Sequence, residues 1–385
     1  MSGRWNGAPR LPGLVGLAAL GLAVLGLTGS LAGCSAGPAE PVSDPPVTSP
    51  DPTPPSESPT TSPSPPPSPT PPPATRVLLV GDIMLGRGVA TPAAPVQPLR
   101  FVADRIRGAD IAVGTLESTL SDNGDPQQPG DDSFAAPPGT LAALERIGFD
   151  ALSLANNHTG DFGPVAFDET LREFQGRRIR AFGAGRDLEQ AGRAAVVRRN
   201  GVSFGFIGFN AIGETPRATR GSAGALSVRM PPRTGPLQRA DLEHVTRLVR
   251  RMGKRVDVVI VLPHWGTQYT HTPEPIQSQV GRALVRAGAD LVVGGHPHWV
   301  QGLEPAGSAV IAHSLGNFVF DMDFMEQTME GVMLVATFRG DRLAGIRLEP
   351  YRMGPDFAPR PVRGADAEDI LTDVRGTSRG RFRSG

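Results

Sequence analysis

Short apolar runs alternate with segments of helical spacing over most of the chain. The apolar runs predict strands at 76–80, 111–113, 151–154, 196–197, 202–209, 256–262, 290–293, 309–312 and 332–338. The helical spacing predicts helices at 96–106, 140–147, 164–174, 236–252 and 275–287. Because the apolar runs lack a period of two, they indicate strands that are covered on both faces. The pattern predicts a layered α/β or α+β domain rather than a β-sandwich.

Four polar motifs stand directly after predicted strands. They are Gly-Asp-Ile-Met at 81–84, Ala-Asn-Asn-His at 155–158, Pro-His-Trp-Gly at 263–266 and Gly-His-Pro-His at 295–298. The carboxyl ends of parallel strands meet at one edge of an α/β sheet, where ligands bind. Aspartate, asparagine and histidine are residue types that bind divalent metals. The motifs therefore predict a metal site at this edge.

The acidic and amide candidates differ in strength. Asp82 and Glu117 each follow a strand, but an ordinary turn or a solvated loop would contain the same residues. Asn156, Asn157 and His158 are stronger evidence, because two amides and an imidazole after a buried strand need hydrogen bonds or a metal. Asp161 follows three residues later, where it could orient the ring of His158.

The histidines strengthen the prediction as a group. His264 alone would more often be a structural residue. His296 and His298, however, alternate around a proline and follow two glycines that permit a close approach of the main chain. His313 also follows an apolar run, whereas His244 and His271 resemble surface residues.

Three further polar residues are candidates for contacts to a substrate. Arg87 follows Gly86 near the presumed site, and its guanidinium matches a carboxylate or a phosphate. A surface role fits Arg87 nearly as well. Asn317 and Asp321 come after the strand at 309–312, where they would either contact a ligand or close a turn.

The amino-terminal region has the features of an export signal. Arg4 and Arg10 precede an apolar segment at 11–27, and Leu-Ala-Gly-Cys at 31–34 matches a bacterial lipoprotein signal with Cys34 as the lipidated residue. An uncleaved transmembrane anchor is the alternative. Either reading predicts an extracytoplasmic protein attached to the cell membrane.

Composition divides the chain into four parts. Residues 1–34 form the signal, and 35–75 form a disordered linker rich in Pro, Ser and Thr, either a spacer or a ligand for a Pro-binding module. Residues 76–355 form the folded domain, and 356–385 are expected to be a flexible tail rich in Arg and Gly. The formal net charge is zero and no basic cluster alternates with aromatic residues, which argues against nucleic acid as a partner. The oligomeric state stays open.

The ordered motifs resemble those of the calcineurin-like metallophosphoesterases. With Ser-Leu-Gly-Asn-Phe-Val-Phe at 314–320 they are more closely similar to the CapA capsule-synthesis family, associated with poly-γ-glutamate, over residues 76–323. The resemblance implies a four-layer α/β/β/α sandwich holding one or two divalent ions, such as Mn, Zn, Mg or Fe.

The same resemblance implies roles for individual residues. Asp82 and His298 would bind one metal, Glu117 would bridge, and Asn157, His264 and His296 would bind the second. His158, oriented by Asp161, would face the substrate as a general acid or transition-state stabiliser. The chain departs from the phosphoesterase pattern in two places: Met84 replaces a histidine ligand, and Glu117 replaces the usual bridging aspartate.

Two functions from different classes follow from these observations. The first is a metal-dependent hydrolase or transferase that acts on a phosphoester or on an amide of an anionic surface polymer. It would use Arg87, Asn156 and Asn317 as contacts to the substrate. The second is a non-catalytic protein that binds such a polymer through its metal site and tethers it to the envelope. The intact Asn157-His158 pair favours the enzyme, and Met84 favours the binding protein.

Overall fold

The computed structural model describes residues 73–91 and 93–384. The predicted lipoprotein signal, Cys34 and most of the predicted linker lie outside the described residues. Among the residues described, no helix is both long enough and apolar enough to cross a bilayer.

The domain contains eighteen strands and seven α-helices within the described ranges. The strands are β1 (Ala74–Ile83), β2 (Ile111–Leu116), β3 (Thr119–Leu120), β4 (Ala135–Ala136), β5 (Ala151–Ser153), β6 (Arg180–Phe182), β7 (Ala184–Gly185), β8 (Ala195–Arg199), β9 (Val202–Asn210), β10 (Gly224–Ala225), β11 (Val258–His264), β12 (Leu291–Val293), β13 (Val300–Ala306), β14 (Ala309–Leu315), β15 (Asn317–Val319), β16 (Glu330–Arg339), β17 (Arg342–Met353) and β18 (Pro359–Pro361). The helices are α1 (Ala103–Gly108), α2 (Gly139–Ile147), α3 (Gly163–Glu173), α4 (Leu188–Ala191), α5 (Arg239–Met252), α6 (Pro275–Arg286) and α7 (Ala365–Thr377).

Two large sheets carry the architecture. The first has the order β18-β17-β16-β1-β2-β5-β6, and β15 also pairs with β1. The second has the order β13-β14-β12-β11-β9-β8. Four neighbouring strands of the first sheet run parallel, namely β1, β2, β5 and β6. Four neighbouring strands of the second sheet also run parallel, namely β9, β11, β12 and β14. Parallel pairing brings their carboxyl ends to one edge of each sheet.

The two sheets pack face to face around a shared core. Val77 and Leu79 of β1 belong to one buried cluster with Val258 and Ile260 of β11. On the outer face of the first sheet, residues of α1, α2 and α3 pack against Leu78 and its neighbours. Residues of α5 and α6 cover the outer face of the second sheet. These layers confirm the predicted α/β/β/α sandwich.

The expectation of a flexible tail from residue 356 is wrong for most of that segment. β18 pairs with β17, and α7 places Ile370 and Val374, 0% and 2% exposed, in the core between the sheets. The chain then continues along β13, because the Ser378 hydroxyl accepts a hydrogen bond from Leu303 N–H and Arg379 N–H donates to the Leu303 carbonyl. Only two apolar residues of α7 are buried, so the sequence carries a weak helical signal there.

Candidate metal centre

The predicted site residues converge at the carboxyl ends of strands from both sheets. The first sheet contributes Asp82 in β1, Glu117 directly after β2, and Asn157 and His158 after β5. The second sheet contributes His264 as the last residue of β11, and His296 and His298 in the loop that follows β12. Each of these side chains is buried.

Two overlapping sets of donor atoms are close enough to hold metal ions. In the first set, donor atoms of Asp82, Glu117 and His298 lie within 4.8 Å of one another. In the second set, donor atoms of Glu117, His264 and His296 satisfy the same distance. Because Glu117 belongs to both sets, the geometry is that of a bridging carboxylate between two cation positions.

The donor atoms themselves indicate that the site fits a cation. Oxygen atoms of Asp82 and Glu117, both ring nitrogens of His296, and His298 Nε2 are buried and have no hydrogen-bond partner among the described residues. Leaving buried polar atoms unpaired costs about 1–3 kcal/mol each, more when they are charged. Carboxylate and imidazole ligands in this number suit a divalent ion such as Zn²⁺ or Mn²⁺. The residues present therefore fit a metal centre.

The loop after β12 has an unusual backbone that brings the two sheets together. A Cβ at Gly295 would lie 2.5 Å from Asp82 Oδ1, so only glycine allows this approach. His296 and His298 have φ values of 96° and 60°, which non-glycine residues adopt rarely and mostly at functional sites. His296 N–H donates to Asp82 Oδ2 at 3.0 Å. This bond holds the carboxylate of Asp82 with the main chain of His296, and both residues are predicted ligands.

Burial dominates the electrostatics of the site residues. It raises the pKa of Asp82 to about 7, with the nearby Glu117 carboxylate as the next cause, and raises the pKa of Glu117 to about 7 although His158 opposes it. Burial lowers the pKa of His264 to about 4 and that of His298 to about 3. Neutral imidazoles are the form that binds metal, and a cation would relieve the cost of ionising the two buried acids.

Asn157 lies between His264 of the second donor set and the side chains of Glu214 and Arg233. Its Oδ1 is 2.8 Å from His264 Nε2, and its Nδ2 donates to a carboxylate oxygen of Glu214 at 2.7 Å. Arg233 holds the other oxygen of Glu214 at 2.6 Å. Asn157 Oδ1 therefore faces the site, and its predicted role as a ligand stays a prediction.

His158 stands beside the bridging carboxylate with its ring held on two sides. Its Nδ1 is 2.6 Å from Asp161 Oδ2, and its Nε2 is 3.9 Å from Glu117 Oε1. The ring stacks on Phe134 with 3.9 Å between ring centroids. Burial lowers the pKa of His158, but the bond to Asp161 and the charge of Glu117 outweigh this and raise it overall. The arrangement keeps Nε2 directed at the site.

Asn156 and Asn317, two predicted substrate contacts, hold neighbouring groups of the site in place. Asn156 is fully buried, and its side-chain oxygen accepts hydrogen bonds from the main chain of His158 and Thr159. Asn317 is also fully buried and lies 2.8 Å from His298 Nδ1 through its Oδ1. Asn317 thereby orients a predicted ligand. Direct contact of either side chain with a substrate stays a prediction.

Three other candidates also have defined surroundings. Arg87 forms an ion pair with Asp321, lies over the ring of Phe134, and lines a cleft of about 580 Å³. His313 lies away from the donor sets, in β14, where its Nε2 is 3.5 Å from Glu304. The contact of Arg87 to an anion stays a prediction.

Met84 is not placed as a ligand in either donor set. It is fully buried, and its sulfur accepts a hydrogen bond from Gly86 N–H at 3.1 Å. The first candidate cation position therefore has three candidate ligands of the carboxylate and imidazole type among the described residues.

Sequence reasoning missed three residues that border the site. Glu214 holds Asn157, Phe134 stacks on His158, and Tyr269 stacks on His298 with 6.0 Å between ring centroids. All three lie outside the polar motifs. Phe134 and Glu214 stand in segments without a regular pattern, so no local signal identifies them.

Comparisons with known proteins agree with the motifs. The model of the family described as "Bacterial capsule synthesis protein PGA_cap" matches residues 76–322. The capsule biosynthesis protein CapA of Bacillus anthracis is 29% identical over 294 residues, covering 74% of this chain and 69% of that protein. The PGA biosynthesis protein CapA of Bacillus subtilis (strain 168) is 31% identical over 248 residues, covering 63% and 62%. A solved structure of a hypothetical protein from Thermus thermophilus has a TM-score of 0.44 at 14% identity, covering 72% and 99%.

Proposed function

Because this chain belongs to the PGA_cap family of bacterial capsule synthesis proteins, we propose that it acts on an anionic surface polymer through a metal-dependent hydrolytic site. The substrate bond would be a phosphoester or an amide of that polymer. The observation that carries the proposal is the pair of donor sets that share Glu117, with their donor atoms buried and unpaired.

The residues that would hold the ions are those of the two donor sets, with Asn157 beside the second. A bound divalent ion would supply Lewis-acid polarisation of a phosphoryl or carbonyl oxygen. Asp82 and Glu117 would neutralise the charge of the ions. His264, His296 and His298 would fix their positions as neutral ligands.

His158 has the surroundings of a general acid. The Asp161 carboxylate holds the Nδ1 edge, which leaves Nε2 to carry a proton toward the leaving group. Phe134 covers one ring face and excludes water from it. This role requires His158 to be partly accessible, and its side chain is 8% exposed.

The test combines metal analysis with an activity screen. We expect the full-length protein to contain a divalent metal, and His264→Ala or His296→Ala to lose most of it together with phosphodiesterase or γ-glutamyl hydrolase activity. His271→Ala is the matched control, because His271 contacts the Val300 carbonyl outside the donor sets. Full turnover in both site variants would exclude the proposal.

A second function is favoured by one observation. Met84 leaves the first cation position with three ligands, and a thioether is a poor ligand for hard divalent ions. A protein that binds the polymer without turning it over would fit such a site. Affinity for the polymer without any metal-dependent rate would support this alternative.

We also propose that the protein is exported and held at the membrane by a lipid on Cys34. The support is the order of basic, apolar and Leu-Ala-Gly-Cys segments at the amino terminus. Radiolabelled palmitate should enter the wild-type protein and not Cys34→Ala. Equal labelling of both proteins would contradict the lipid anchor.

A further inference from the structure

A basic cleft lies outside the donor sets, beside β8 and at the amino-terminal ends of β11 and β12. Four adjoining depressions share lining residues there, and their volumes are about 920, 630, 270 and 580 Å³. Arg198 joins the first to the second, Arg180 joins the second to the third, and Arg251 joins the first to the fourth. We call this continuous surface the arginine cleft.

Many arginines of the arginine cleft are not paired with an acidic side chain. Seven of its arginines form no ion pair within the described part of the chain: Arg146, Arg180, Arg198, Arg220, Arg250, Arg251 and Arg255. The chain as a whole has equal numbers of basic and acidic residues. The positive charge of the cleft therefore reflects where the fold places these arginines, and not a basic composition.

The carboxylates of the same cleft are already engaged. Asp187 accepts a hydrogen bond from Gln190 N–H at the start of α4, at 2.7 Å. Asp257 accepts from Ser203 N–H at 2.8 Å, and Asp290 accepts from Val259 N–H at 2.8 Å. Seven acidic residues line the four depressions against thirteen arginines and one lysine, so the cleft keeps an excess of positive charge. The cleft is left with an attraction for anions from solution.

The floor of the largest depression is apolar. Leu188, Val196, Ile207 and Leu248 line it below the arginines. His244 lies in the same wall, and its buried Nε2 has no hydrogen-bond partner among the residues described. A ligand for this surface would combine repeated anionic groups with aliphatic segments and a hydrogen-bonding main chain.

We propose that the arginine cleft binds a linear polycarboxylate as an extended chain, separate from the metal centre. Its carboxylates would pair with the arginines, and its methylene groups would cover the apolar floor. This inference rests on the proposed function in its choice of an anionic polymer as the ligand. Bidentate guanidinium contacts would hold such a chain more firmly than a row of lysines.

An anionic membrane fits the cleft less well than a polymer. A membrane-binding surface usually inserts large apolar side chains next to its basic residues. The large apolar residues exposed in the described structure are Phe101, Val165, Phe324 and Met325, and none of them lines the cleft.

One loop contributes residues both to the cleft and to the surroundings of the site. The segment between β9 and β10 contributes Glu214, which holds Asn157, and Arg220, which lines the cleft. No predicted metal ligand lines any of the four depressions. A polymer in the cleft would thus occupy a surface separate from the donor sets and would not block them.

The experiment measures binding of size-fractionated poly-γ-glutamate to the full-length protein at low salt. The test variant is Arg198→Glu/Arg251→Glu/Arg255→Glu, and the control is Arg339→Glu/Arg342→Glu/Arg363→Glu. All six residues are exposed and make no ion pair in the described structure, so both variants should fold and carry the same charge. We expect the test variant to bind on the order of tenfold more weakly or worse, and the control to change by less than about twofold.

Each outcome decides the proposal. Equal loss in both variants would show that net charge alone attracts the polymer, and no loss in the test variant would exclude the cleft; either overturns the proposal. Binding to phosphatidylglycerol vesicles that falls in the test variant, without polymer binding, would assign the cleft to a membrane and overturn it as well. Monomeric glutamate should bind far more weakly than the polymer.

Metal content separates this proposal from the function proposed for the site. The test variant should retain the metal content of the wild type, because its substitutions lie outside the donor sets. If the wild type holds no metal, and the test variant still binds the polymer more weakly than the wild type, the site proposal fails and the cleft proposal stands. If the wild type holds metal, and the test variant binds the polymer as well as the wild type does, the cleft proposal fails and the site proposal stands.

Discussion

Asp161 acts on the site through another residue. It is fully buried and accepts hydrogen bonds from Phe134 N–H at 2.8 Å and from Gln128, in addition to its contact with His158. These bonds fix the carboxylate, which in turn fixes the imidazole. Asp161 is therefore a positioning residue, and its contribution can be separated from that of the metal ligands.

The first prediction concerns Asp161→Asn. An amide keeps the shape of the side chain but removes the charge that favours a proton on His158, so we expect turnover to fall by roughly 10²-fold. Metal content should stay at the wild-type value, because Asp161 belongs to neither donor set. Steady-state kinetics and metal analysis of the same preparation test this. A variant that loses metal along with turnover would contradict the positioning role.

At this scale, sequence motifs predicted the donor residues and did not predict their surroundings. Five ordered motifs identified the family correctly, and they placed Asp82, His264, His296 and His298 at strand ends that do converge. Glu117 lies outside the motifs and was predicted only from its place after a strand. The motifs did not predict the hydrogen bonds of Asn156 and Asn317 inside the protein, because a motif shows residue order and not the direction of a side chain. Glu214 and Tyr269 reach the site through tertiary packing, which leaves no local pattern.

At the scale of elements, α7 is a small helix that closes the core between the sheets. Gly302 of β13 lies against the end of α7, where a Cβ would collide with the main chain at Thr377 and Ser378. Ile370 and Val374 are one turn apart and both point into the core. The helix thus has a packing role although its composition resembles a solvated tail.

The second prediction tests this role with Ile370→Ala. Truncating a fully buried isoleucine should lower the free energy of unfolding by about 2–5 kcal/mol. The neighbouring Asp369 is exposed, so Asp369→Ala is the matched control and should change stability by less than about 0.5 kcal/mol. Urea unfolding followed by circular dichroism measures both. Equal stability of the two variants would show that α7 does not stabilise the domain.

The third prediction concerns a buried carboxylate in β13. Glu304 is 1% exposed; burial raises its pKa, but hydrogen bonds from His313, Arg282 and Ser278 outweigh burial and lower it to about 2 from 4.5. A lowered pKa stabilises the fold fully above pH 4.5, and this contribution is lost as the pH falls toward 2.

Glu304→Gln should therefore be less stable than the wild type at pH 6, by ~1–2 kcal/mol after allowance for the partly exposed arginines. The difference should shrink as the pH falls from 4.5 toward 2. Chemical unfolding at several pH values measures it. A difference that stays constant over this range would mean that ionisation of Glu304 does not stabilise the fold.

Elements were predictable where burial was complete. The strands at 202–209 and 256–262 are confirmed as β9 and β11 within two residues, because apolar runs in covered parallel strands are continuous. The helix predicted at 96–106 is a short 3₁₀ turn, Gln97–Leu99, followed by α1. β17 was missed since its first half is largely exposed, and an exposed strand has no apolar run to recognise.

At the scale of the whole molecule, the candidate metal centre lies across the two sheets. Asp82 and Glu117 belong to the first sheet, whereas His264, His296 and His298 belong to the second. A bound cation would therefore link the layers in the folded state and have no equivalent site in the unfolded chain. Binding and folding are coupled in such a case.

The fourth prediction is that removing the metal destabilises the protein. At free metal of roughly a hundredfold over Kd, the stabilisation is about 3 kcal/mol, so dialysis against a chelator should lower the Tm by several degrees. Restoring Mn²⁺ or Zn²⁺ should return the Tm in the wild type and not in His296→Ala. A Tm that is insensitive to chelator in a metal-containing preparation would contradict this coupling.

The core between the sheets has one more consequence for the centre. Phe204 of β9 and Phe338 of β16 are fully buried and meet edge to face, with ring centroids 5.4 Å apart, one from each sheet. Phe338 pairs with Thr75 near the start of β1, at the opposite end of that strand from Asp82, so this contact holds the layers together far from the donor sets. A smaller residue at Phe338 would leave every donor side chain in place, and any change in metal affinity would then measure how rigidly the sandwich transmits a distant shift of its layers.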